Sequence, residues 1–101
     1  MELTEVLTAV REWLANVPLS AQIQRDTDAG LWAYIETENA LAELIAAEGD
    51  FAPYRFVSFS VMDTRLDPYA EPAYCFHDNE SHTIPDILRA LDRGMEMIAA
   101  L

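Results

Sequence analysis

The sequence predicts a small α+β protein, with helices packed on one face of an antiparallel sheet and elements in the order α-β-β-α-β-β-α. Apolar residues recur every three or four positions near both ends of the chain, the signature of amphipathic helices. Between them lies a run rich in β-branched and aromatic residues that alternates like a strand. At 101 residues, with 51% hydrophobic side chains, residues 1–101 form one domain. Such a chain buries roughly 60–70% of its unfolded surface, enough for a single core.

The first helix is expected over 4–17, where Leu3, Val6, Leu7, Val10, Leu14 and Val17 form one stripe. Thr4 is its expected N-cap, Glu5 complements the dipole, and Pro18 ends it. Residues 21–25 and 31–35 read as a hairpin about the acidic, glycine-closed segment 26–30. An alternative fold drops that hairpin and leaves two strands under a helical cap. Residues 38–48 consist of strong helix formers, so a second helix is expected there, with Thr37 as N-cap and Gly49 as the left-handed C′ residue.

The clearest strand is 54–62. Alternation puts Val57, Phe59 and Val61 on one face and Tyr54, Phe56, Ser58 and Ser60 on the other. Its partner is 73–77, with Tyr74 and Phe76 on one side. The ten-residue connection between them is long for a hairpin. The last helix, 84–99, opens on Thr83 with Asp86 three residues on, a capping-box-like start. Ile84, Ile87, Leu88, Leu91, Met95 and Ile98 make its buried stripe, and Gly94 marks a place where another element can come close.

Charge is the chain's most distinctive property. Eighteen carboxylates face six cations, all arginine, for a net charge of −12. Such a surface repels nucleic acid and anionic membrane and attracts basic protein surfaces. A G+C-rich genome or a halophilic proteome gives the same composition. One cysteine, Cys75, excludes an internal disulfide. With no cationic and apolar leader pattern, a cytoplasmic setting is expected. No stretch is apolar enough to span a bilayer.

Phosphate-binding, dinucleotide-binding and nucleophile-elbow glycine motifs are absent, since Gly30, Gly49 and Gly94 lie far apart. No enzyme activity and no cofactor are expected. Cys75 and His77 would share a strand face, but no acid or oxyanion-hole glycines accompany them. Residues 77–82 hold the ligand types His77, Asp78, Glu80 and His82, yet their spacing matches no metal motif, so no metal is expected.

The contact candidates are Asp63, Asp67, Tyr69 and Glu71 in the long loop, and Trp32 and Tyr34 on one strand face. Leu66 and Pro68 add apolar surface to that loop. The expected function is a non-catalytic acidic binding or inhibitor protein for a basic, nucleic-acid-handling protein partner. Immunity proteins, antitoxins and phage-type inhibitors are of this kind. Direct nucleic-acid or membrane binding is not expected. The alternatives are a homo-oligomeric interaction domain, a homodimer in its simplest form, and a small metal binder or enzyme built on 77–82.

Overall fold

A computed structural model of the chain describes residues 1–50 and 52–101. Its order is α1 (Leu3–Ala15), β1 (Ala21–Thr27), β2 (Gly30–Glu36), β3 (Ala40–Ala47), β4 (Val57–Asp63), β5 (Tyr74–His77) and α2 (Ile84–Ala100). The five strands form one antiparallel meander in the order β1-β2-β3-β4-β5. The α+β class therefore stands, with α-β-β-β-β-β-α in place of the expected order. Among the described residues, no helix is long and apolar enough to cross a membrane.

The difference lies at 38–48, expected as a helix and found as the central strand. Ala40, Ala42, Leu44 and Ala46 alternate into the core, while Leu41, Glu43, Ile45 and Ala47 point outward. The alanines act here through their size, because small inward side chains leave room for α1, which packs against β3. Tertiary packing overrides helix propensity. Thr37 accordingly caps a turn, not a helix: Ala40 N–H donates to its Oγ1 at 3.1 Å. Gly49 lies outside the left-handed region. Its N–H donates to the Arg55 carbonyl at 2.9 Å, and a Cβ there would meet that carbonyl oxygen at 2.8 Å.

The first hairpin forms as expected, and tighter. Thr27 pairs with Gly30 across a two-residue turn, and a bulge interrupts β1 between Ile23 and Arg25. At β4 the alternation of Val57, Phe59 and Val61 into the core holds, but the strand starts only at Val57. Phe56 is buried, contrary to the alternation, because the ladder begins only at Val57 and residues 55–57 gather about Asp78 at the end of β5. Their three N–H groups converge on Asp78 Oδ1 at 2.9, 2.8 and 2.8 Å.

Both helices cover the same face of the sheet. The N-cap of α1 is Glu2, not Thr4: its N–H donates to Glu5 Oε1 at 3.3 Å. Thr83 caps α2 as expected, accepting from the Asp86 N–H while its own N–H donates to Asp86 Oδ2 at 2.9 Å. The stripe of α2 is centred on Ile87, Ala90, Leu91, Gly94 and Ile98, with Leu88 and Met95 at its margin. Phe59 sits at the middle of the core. Trp13 meets it edge-on at 5.9 Å and Tyr74 at 6.5 Å. Gly94 lies against the same ring, where a Cβ would come within 2.6 Å of Cδ2. Trp13 Nε1 donates to Asp92 Oδ1 at 2.8 Å, tying α1 to α2.

Candidate functional site

Because both helices lie on one side, no helix covers the other side of the sheet among the described residues. The strand registers place Trp32, Tyr34 and Glu36 of β2 there, beside Leu41, Glu43 and Ile45 of β3. Ser58, Ser60 and Met62 of β4, Cys75 and His77 of β5, and Gln22 and Arg25 of β1 lie on it too. Trp32 Nε1 and the Tyr34 hydroxyl both donate to Glu43 Oε2, each at 3.0 Å. The two rings are tilted, with centroids 5.6 Å apart. Desolvation first, and then the Glu43 carboxylate, raise the Tyr34 pKa above the usual phenol value. Trp32 remains 39% exposed. Beside it a hollow of about 330 Å³ is lined chiefly by Arg25, Gly30, Trp32, Glu43, Ile45 and Ala47.

The long loop forms a second surface. Asp63 is locked to Arg65, which donates to it through Nε at 3.0 Å and Nη2 at 2.9 Å. Those hydrogen bonds hold the Asp63 carboxyl below its ordinary pKa. Asp67 Oδ1 accepts the Tyr69 N–H at 2.8 Å, an Asx-type turn that throws Tyr69 outward. Tyr69 is 97% exposed and Leu66 56%, and Glu71 is also exposed.

The two sets of contact candidates do not meet. Asp63 pairs with Ala40 at one end of β3, whereas Trp32 pairs with Ile45 five residues along it. At about 3.3 Å per residue, that separates them by roughly 17 Å.

The structure also disperses the 77–82 cluster. Asp78 points inward at 1% exposure and holds the start of β4. His77 faces the outer sheet surface, with its Nε2 3.6 Å from Cys75 Sγ. His82 Nδ1 accepts the Asn79 N–H at 2.9 Å, and its ring rests against Phe76. Glu80 is exposed. Among the described residues, no group of three His, Cys, Asp or Glu side chains is placed to hold a metal ion.

The sequence does not bring out Glu43, the acceptor shared by the aromatic pair, because residues 38–48 read as a helix. Nor does it bring out the inward role of Asp78. Pairing of 31–35 with a strand at 40–47 was the signal that could have found Glu43.

The arrangement defines a two-layer α+β protein with one bare sheet face and one acidic, tyrosine-bearing loop. No family model matches the chain, and no curated protein or solved structure matches it either.

Proposed function

We propose that this protein is a non-catalytic acidic binding module for a basic protein partner, with the loop after β4 as its first contact. Proteins that handle nucleic acid carry the clustered cations that such a surface attracts. An inhibitor, immunity protein or antitoxin is the kind of role this implies. The observation that carries it is the poor supply of free cations at the surface. Three of the six arginines are already held by carboxylates of the same chain, in Arg11–Asp26, Arg65–Asp63 and Arg89–Asp86. The remaining carboxylates far outnumber Arg25, Arg55 and Arg93. Within the loop, Arg65 neutralises Asp63, so Asp67 and Glu71 supply the field and Tyr69 supplies the anchor.

The test is kinetic, on the partner isolated from the native cell by affinity capture. Association should slow as salt rises, and again in a variant carrying Asp67→Asn and Glu71→Gln. Asparagine keeps the acceptor for the Tyr69 N–H, so the loop conformation survives. Tyr69→Ala should chiefly speed dissociation. A native partner that is acidic or neutral, or binding indifferent to salt and to these variants, sinks the proposal.

A further inference from the structure

We infer that the bare sheet face is the interface of a two-fold homodimer, a surface separate from the loop and beyond the function proposed above. The distribution of charge leads to this. Of eighteen carboxylates, only Glu36 and Glu43 fall on the outward strand positions. The rest of that face is chiefly Trp32, Tyr34, Leu41, Ile45 and Met62, with Arg25 as the cation of its β1 edge, opposite Trp32. A surface evolved to meet a basic protein would carry its acids here. Enrichment in aromatic residues and methionine, with two carboxylates and one arginine nearly balancing among them, instead marks the centre of an interface with a surface of the same near-neutral charge. The copy of this chain offers that chemistry.

The sheet edges do not compete. β1 is bulged and β5 has only four residues, two ways in which edge pairing is blunted. Association therefore falls to the face.

The position of Glu43 constrains the symmetry. A two-fold axis along β3 would oppose the two Glu43 carboxylates. An axis along the strands between β2 and β3 avoids this by laying β2 of one copy over β3 of the other. Trp32 then seats against Ile45 and the hollow of the second copy, and reciprocally. Each Glu43 is covered by the other copy's Tyr34, with its Oε2 already satisfied by two donors of its own chain.

The size of the face sets the strength. Four overlapping strands about 4.8 Å apart, of seven residues at about 3.3 Å each, give a flat footprint of roughly 450 Å² per copy. With side-chain relief the two copies bury a total near 1,000 Å², the low end for specific interfaces. The expected dissociation constant is micromolar.

Light scattering and sedimentation equilibrium of the full chain across micromolar to millimolar concentration test this. The mass should rise reversibly from 11.4 kDa to twice that value. Trp32→Asp and Ile45→Asp should each weaken the dimer by about thirtyfold or more. Ala99→Asp, which adds the same charge on the exposed side of α2, should not. Melting temperature and circular dichroism confirm that each variant folds.

Raising salt should tighten the dimer, because it screens repulsion between two copies of charge −12. That is opposite in sign to the effect expected for a basic partner at the loop, so the two proposals fail separately. A chain that stays monomeric at millimolar concentration overturns the homodimer. So does a dimer that loosens with salt, or one that Trp32→Asp and Ile45→Asp leave intact.

Discussion

Asp78 shows how one side chain can set a strand boundary. Its Oδ1 collects the N–H groups of Arg55, Phe56 and Val57, while Oδ2 is buried without a partner. Its backbone also exchanges hydrogen bonds with Arg55 and Val57, so the end of β5 and the start of β4 are fastened at one point. Removing the carboxylate strands the N–H groups of Phe56 and Val57, each worth about 1–3 kcal/mol when left unmet, while Arg55 keeps the Asp78 backbone carbonyl. Asp78→Ala should therefore cost about 3 kcal/mol or more in urea unfolding. Asp78→Asn keeps an acceptor for the three donors and should cost less. Near-equal losses for the two variants would show that the convergence on Oδ1 is not what matters. The sequence presented Asp78 as one polar residue in a row of six, because nothing local distinguishes an inward from an outward carboxylate at a strand end.

Among the elements, α2 is the one whose energetics follow most directly from its contacts. Leu91 is fully buried, so Leu91→Ala should cost roughly 2–5 kcal/mol. Leu88, at the margin of the stripe, should cost clearly less, and Thr83→Ala about 1 kcal/mol through loss of the cap. Gly94→Ala improves helix propensity but drives a Cβ into Phe59. It should destabilise by about 1–3 kcal/mol, and a stabilised variant would refute that packing.

The cap also makes the helix pH-sensitive. The Thr83 backbone N–H first, then its hydroxyl and Arg89, hold the Asp86 carboxyl below its ordinary value of 3.8. The unfolded chain then binds more protons than the folded one in the acid range. This stabilisation is complete above the ordinary value and is lost as pH falls through the lowered one. Asp63 acts in the same direction through Arg65. Asp86→Asn should flatten part of the acid slope of stability without removing all of it, measured by urea titration at several pH values.

Both helices and the alternating core face of β4 were legible because their apolar periods are clean. β3 was not, since it is apolar on both faces. Alanines and Leu44 line one side, and Leu41 and Ile45 the other, so the alternation that marks a strand disappears into a run of helix formers. Misplacing β3 also hid the site. Trp32 and Tyr34 could be named from the sequence, but Glu43 joins them only once β3 pairs with β2 in register.

At the scale of the whole molecule, the sheet divides the protein into two sides with different tasks. One carries both helices and nearly all of the core. The other is bare, and its two carboxylates and one arginine contrast with the acidic remainder of the surface. The two tryptophans fall on opposite sides of that divide. Trp13 is wedged between the helices and Phe59, whereas Trp32 lies on the open side. The protein thus carries two intrinsic fluorophores that report different events. Emission from Trp32 should shift to shorter wavelength when something covers the bare face, with the fold unchanged. Emission from Trp13 should change only when the helices part from the sheet. In a Trp32→Phe variant the remaining signal would follow unfolding alone, and in Trp13→Phe, at concentrations and temperatures where the fold holds, it would follow assembly, so the two variants separate association from stability on one light path.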